Sequence, residues 1–490
     1  MLTPSLPIAH RLTGIGTTAA DIARMFGIGT VMPNLFEDSA SDITDMAQSA
    51  DAPHILAPAK YIARTDADPV PLQFDRSLRR RLHTPAQKPD QREHHWPITE
   101  RPTRYHAANW QCEPKPENVR INSRPVAGDP SRAPIEIPPI WCPLPLHTRS
   151  NGIEFQHRSE DFYRRMGFDA DSLKSANDMC TGELACMWAP LGDDEGTQLL
   201  SDWLMWALLF DDHYCDSGPI SRDPTAFNHV AANLMNFAVH PERQPLGIED
   251  FDAFVAALTD IAARIQTRAN PEQVIICLLS HYRWALGAAC GVSDRSGNYL
   301  RSVDEHMIAR GPDGGDLASI VLIEIAEATC LDFETRRSPA VRAITDAATI
   351  LLTVPTDIAS YAREREQRNL ESNIVEIIAA RDGLSRQEAI YAACALIEEI
   401  MNLFVSLKHK LAASASPGLH RYLEQLSNMI RGTLEWQRRL PRYSANAHGT
   451  SAYPAVSGQL SKDALHTISE QRLFSETQPP ESIRWWWQFI

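Results

Sequence analysis

Leu208-Leu209-Phe210-Asp211-Asp212-His213-Tyr214-Cys215-Asp216 sets three carboxylates at the polar end of an apolar stretch, just ahead of the breaker Gly218-Pro219. Upstream, Leu199 to Tyr214 carries apolar residues at three- and four-residue spacing, the mark of a helix with one buried face. Carboxylates at the C-terminal end of such a helix face the negative end of its dipole and repel one another. They call for a cation, and magnesium suits them, because it takes carboxylate oxygens and bridges them to substrate phosphates. The plainer alternative is a solvated acidic helix end. The same spacing recurs in Ala226 to Phe237, Phe251 to Ile265, Glu272 to Ala289, Ile320 to Thr329, Ala340 to Arg368 and Gln387 to Leu411, while runs of period two are lacking. The fold class is therefore all-α, a bundle of roughly ten to twelve helices by the usual helix length.

A second oxygen-rich stretch lies in Thr356-Asp357-Ile358-Ala359-Ser360-Tyr361-Ala362-Arg363-Glu364. Thr356, Ser360 and Glu364 stand at i, i+4 and i+8, so their side chains follow one helix face and form a ladder suited to a second metal site. Pro355 directly precedes it and tends to kink a helix. Arg310-Gly311-Pro312-Asp313-Gly314 predicts a helix break upstream, and Arg442-Tyr443 follows downstream. Arginines beside two metal sites suit a diphosphate, through bidentate charge-assisted hydrogen bonds.

These stretches resemble the motifs of microbial class I terpene cyclases. Asp211 to Asp216 looks like the family's aspartate-rich motif, and Thr356 to Glu364 like its Asn-Asp-x-x-Ser-x-x-x-Glu motif, with Thr356 in the place of Asn. Arg310, Asp313 and Gly314 match the diphosphate sensor, linker and effector, and Arg442-Tyr443 the C-terminal Arg-Tyr pair. The resemblance implies a class I terpenoid synthase helical bundle over about 134–447. It also implies metal ligands among Asp211, Asp212, Asp216, Thr356, Ser360 and Glu364, three Mg2+ ions, and a prenyl diphosphate substrate. Arg310, Arg363, Arg442 and Tyr443 would hold the diphosphate, with Trp436, Phe210 and Trp206 as candidate wall residues for a carbocation. Within the family the likeness is to 2-methylisoborneol synthases, on Asp-Asp-x-Tyr-Cys, Ile140-Trp141-Cys142-Pro143, the Gly182 to Pro190 run and Gly432 to Trp436. That implies 2-methylgeranyl diphosphate as substrate. A geranyl or farnesyl diphosphate cyclase with another product, and a degenerate cyclase-fold cargo or interaction protein, are the alternatives. A chain-elongating prenyltransferase would need a second aspartate-rich motif in place of Thr356 to Glu364.

Composition bears on the remainder. Of 34 prolines in the 490 residues, 20 fall in the first 150. Residues 1–133 also lack sustained apolar periodicity, so a disordered Pro-rich N-terminal extension is expected there, followed by the cyclase domain and a 448–490 tail. Thr17 to Phe26 is a candidate helix within the extension. Relatives of this kind carry such arms for docking to encapsulin-type shell proteins, which implies the same partner here. The net charge of −15 resides outside the extension, where 31 Lys and Arg face 47 Asp and Glu. An acidic body disfavours nucleic acid and anionic membranes as partners. Met1-Leu2-Thr3-Pro4 opens no signal peptide, and the expectation is a cytoplasmic protein, in a nanocompartment if the arm docks. Nine cysteines without a Cys-x-x-Cys pair point to free thiols. The terminus Trp485-Trp486-Trp487-Gln488-Phe489-Ile490 is expected to dock on a surface.

Overall fold

The computed structural model describes residues 135–240, 243, 251–367, 369–440, 455–456, 460–461 and 479–490. The extension, Arg442 and Tyr443 lie outside the described residues. Among these residues the chain forms fourteen α-helices, more than the ten to twelve expected, because short connecting helices escape a periodicity reading. The first four are α1 Gly152–Arg165, α2 Ala170–Met179, α3 Thr181–Trp188 and α4 Asp194–Phe210. Next come α5 Pro224–Val239, α6 Phe251–Arg268, α7 Pro271–Gly297, α8 Val303–Asp313, α9 Asp316–Ala326 and α10 Phe333–Arg337. The last are α11 Pro339–Gln367, α12 Ile374–Asp382, α13 Arg386–Ala412 and α14 Pro417–Arg439.

Several boundaries have a local cause. Asp193 caps α4 by accepting from Gly196 N at 2.7 Å, and reciprocal capping boxes open α7 (Asn270 and Gln273), α8 (Ser302 and Glu305) and α13 (Ser385 and Glu388). The break after Arg310 falls at Gly314 and Gly315, where Gly315 takes φ +71°, a conformation that strains any residue with a Cβ. Pro355 does not end α11, which runs through it.

Packing gathers these helices around one apolar core. α11 packs on α8, α13 and α14, and α4 packs on α1, α3, α6 and α9, with α9 also touching α11. α7 crosses α8 closely, since a Cβ built on Gly287 would lie 2.4 Å from Asp313 N. Among the described residues two helices, α7 and α13, are long and apolar enough to cross a membrane by composition, and both are packed into the bundle.

The entrance and the tail meet. Ile135–Glu136 pairs in parallel with Ala455–Val456, and Ile140–Trp141 with Leu460–Ser461. The aromatic terminus does dock: Arg484–Phe489 forms a 3-10 turn against α11 and α13, with Trp486 buried. Ser482 fixes it to α8 through two 2.8 Å hydrogen bonds from its N–H and hydroxyl to Asp304.

Candidate active site

At its C-terminal end α4 widens into a π-helical turn over Asp211–Asp216, stopped by Gly218 at φ +81°. Such a bulge, common at functional sites, re-aims the side chains of its turn. Asp211 and Asp216 border a cavity, together with Arg310, Asp313, Gly314, Thr356, Arg363 and Glu364 from α8, the break and α11. Deeper in the bundle the same cavity is lined by Trp188, Trp203, Trp206, Trp284 and Trp436. Trp203 precedes Asp211 by eight residues, which at 1.5 Å per residue sets its Cα about 12 Å along the helix axis from the acidic end.

Three expected site residues do not border it. Phe210 is fully buried behind the wall, stacked on Trp206 at 5.2 Å, because α4 turns it toward Phe254 and Tyr214. Asp212, half-buried, is not part of the lining. Ser360 is buried, its Oγ donating to the Thr356 carbonyl at 2.7 Å and contacting Glu364.

The carboxylates are crowded. Burial, then Asp216, Asp313 and Asp212, pushes the Asp211 carboxyl well above its ordinary range, while Arg310 pulls the other way. Burial also raises Asp216, although Arg295 and Arg363 pull the other way. Glu364 is pushed up to about 7 by burial and by Asp357, against hydrogen bonds from Ser360 and Asn373. An all-oxygen donor set short of positive charge is what a hard divalent cation fits. Among the described residues no three Asp, Glu, His or Cys side chains converge closely enough to hold an ion by themselves. Cys215 borders the cavity as a thiol raised by burial, an unsuitable magnesium ligand.

Four residues that sequence reasoning missed complete the polar end. Arg295, from α7, is 8% exposed and donates through Nε to Ser221 O at 3.1 Å and through a terminal nitrogen to Cys215 O. It is the resident cation at the end of the acidic turn. Asn369 donates to Asp216 O at 2.9 Å, tying the first motif to the loop after the second. Asp357, next to Thr356, accepts from Arg310 Nε at 2.8 Å and from Ile374 N at 3.1 Å, and His306 Nε2 lies 2.8 Å away. Burial opposes the charge on both Arg310 and Asp357, but their mutual attraction wins, raising the guanidinium and lowering the carboxyl.

The deep wall is chemically quiet. Trp188 Nε1 donates to Thr433 Oγ1 at 3.0 Å, Trp203 Nε1 to His281 Nε2 at 2.9 Å, Trp206 Nε1 to Phe254 O at 3.0 Å and Trp436 Nε1 to Met179 O at 2.7 Å. Their N–H groups are thus engaged, leaving ring surface for the cavity. His281 Nδ1 lies 2.7 Å from Cys277 O, so both ring nitrogens are engaged, and burial lowers its pKa. It offers no free base.

The bundle and this cavity define a helical enzyme for an anionic, hydrocarbon-bearing ligand. Residues 202–402 match the family described as "Terpene synthase family 2, C-terminal metal binding". The chain is 27% identical over 312 residues to spiroviolene synthase of Streptomyces violens, covering 63% of this chain and 86% of that protein. It is 24% identical over 325 residues to 4-epi-cubebol synthase ((2E,6E)-farnesyl diphosphate cyclizing) of Streptosporangium roseum, covering 66% and 96%. The crystal structure of the SVS_A2 protein from ancestral sequence reconstruction is similar with a TM-score of 0.60 and 26% identity, over 72% of this chain and 98% of that one. Over residues 202–402 the chain matches the class I terpene synthases, and its likeness to these relatives supports the same family. It is a terpene synthase with the family's divalent-metal-binding region.

Proposed function

We propose that this enzyme cyclises a linear prenyl diphosphate, farnesyl diphosphate or a longer homologue, with release of diphosphate. The observation that carries the reading is a single cavity joining Asp211, Asp216 and Glu364 to Arg310 and Arg363, with five tryptophans beyond them. Asp211, Asp216 and Glu364 would hold magnesium, which when bound supplies the charge that draws the diphosphate oxygens. Arg310 and Arg363 orient the leaving group and neutralise the charge that develops as the carbon–oxygen bond breaks. Both electrons leave with the diphosphate, and the allylic cation lies among indole faces whose quadrupoles favour positive charge. With the N–H groups of Trp188, Trp203, Trp206 and Trp436 engaged, these indoles shape that cation without trapping it.

Farnesyl diphosphate stands first because it is the substrate in the name of one relative, the 4-epi-cubebol synthase. A 2-methylgeranyl diphosphate substrate rests on sequence likeness alone, in the first motif, Ile140 to Pro143, Gly182 to Pro190 and Gly432 to Trp436. Docking of the N-terminal arm on an encapsulin-type shell likewise rests on the resemblance, and the arm lies outside the described residues. Incubation with magnesium and farnesyl, geranylgeranyl or 2-methylgeranyl diphosphate, followed by gas chromatography with mass detection, separates these substrates. Cyclic products from farnesyl or geranylgeranyl diphosphate support the proposal. Turnover confined to the methylated substrate overturns its chain-length part.

A further inference from the structure

The ladder of Thr356, Ser360 and Glu364 does not present three side-chain oxygens to the cavity. Ser360 is turned onto α11 itself, its hydroxyl committed to the Thr356 carbonyl and Glu364. Thr356 borders the cavity, but its Oγ1 accepts a 2.6 Å hydrogen bond from Gln437 Nε2. Gln437 comes from α14, is 5% exposed and borders the same cavity. With its nitrogen committed to Thr356, the carboxamide has Oε1 to offer, and among the described residues nothing donates a hydrogen bond to that atom. Asn373 Nδ2 meanwhile fixes Glu364 Oε2 at 2.8 Å from the other side.

Resting on the cyclase reading above, we propose that Gln437 Oε1 is a ligand of the divalent cation on the Glu364 side of the cavity, aimed by Thr356. A carboxamide oxygen is a hard, neutral donor that magnesium or manganese accepts. Neutrality matters here, since another carboxylate would add to the repulsion among Asp211, Asp216, Asp313 and Glu364. Thr356 is then a positioning residue: its hydroxyl holds the amide nitrogen, which fixes which end of the group faces the cavity.

The test is a titration of the full chain with Mn2+ in the presence of inorganic diphosphate, with free ion read by electron paramagnetic resonance. Gln437→Leu should retain the wild-type circular dichroism spectrum and lose one bound ion, or bind the weakest ion about tenfold less tightly. Gln437→Glu, which keeps an oxygen donor, should retain that ion. Thr356→Val should weaken it by several-fold, because the amide loses its partner. Wild-type stoichiometry and affinity in folded Gln437→Leu overturns the proposal and leaves the cyclase reading standing. If the leucine variant does not fold, wild-type binding by Thr356→Val overturns it instead. A wild-type chain that binds no Mn2+ with diphosphate sinks both the proposal and the cyclase reading.

Discussion

Replacing Asp357 with Asn tests how Arg310 is held. The carboxylate is 2% exposed and meets three partners: Arg310 Nε at 2.8 Å, His306 Nε2 at 2.8 Å and Ile374 N at 3.1 Å. Asn keeps one acceptor oxygen but removes the charge, leaving the half-buried guanidinium to Asp313 at 3.2 Å. Breaking a buried ion pair by removing one charge costs about 3–5 kcal/mol, and the near-isosteric Asn places the expectation at the lower end, about 3 kcal/mol. Equilibrium urea unfolding of the metal-free protein at pH 7 reads this directly. The pH dependence supplies an independent check. Because folding lowers the Asp357 carboxyl, its contribution is fully present above the unfolded value of about 3.9 and is lost as pH falls through the folded value. The variant should therefore lack part of the wild-type loss of stability below about pH 4. A stability change under about 1 kcal/mol, with an unaltered acid limb, would refute the view that Asp357 anchors Arg310.

The other perturbations follow the same logic. Asp211→Asn should abolish turnover yet make the metal-free protein more stable at pH 7 by about 1 kcal/mol or more, since burial and its acidic neighbours raise this carboxyl and its cost grows as pH rises above about 4; thermal melts without metal showing destabilisation would point to a structural role. Glu364, pushed up to about 7, should release a proton when metal and diphosphate bind below that pH, so calorimetry in buffers of different ionisation enthalpy should find affinity rising to about pH 7 and flattening above it. Affinity that stays flat from pH 5.5 to 8 would remove Glu364 from the site. Gly287→Ala should cost about 1–3 kcal/mol and lower turnover, because the added Cβ would stand 2.4 Å from Asp313 N; unchanged melting and kinetics would mean that α7 and α8 separate without consequence.

The helical class was legible because long helices write a 3.6-residue period, and Leu199 to Tyr214 already marked α4 and its acidic end. Asp211, Asp216, Arg310 and Glu364 could be named from local chemistry, and Arg363 from the resemblance of its motif. Arg295 could not, since nothing in its neighbourhood on α7 signals that its guanidinium crosses to Cys215 O, 80 residues earlier. His306 and Gln437 escaped for the same reason: each acts on a partner more than 50 residues away, and sequence spacing carries no record of such contacts. Ser360 and Phe210 failed differently. Helical spacing gave their face to within a turn, but the choice between cavity and core was made by neighbours, Glu364 for one and Trp206 with Phe254 for the other.

Diphosphate release is the quantity nearest to the central claim. Purified full-length protein with magnesium and farnesyl or geranylgeranyl diphosphate should liberate inorganic diphosphate in step with a cyclic terpene, and chelation of the metal should stop both. Release without a cyclic product, or no release from any of the three prenyl diphosphates under conditions where the protein is folded, would contradict the account of this cavity as a working cyclase site.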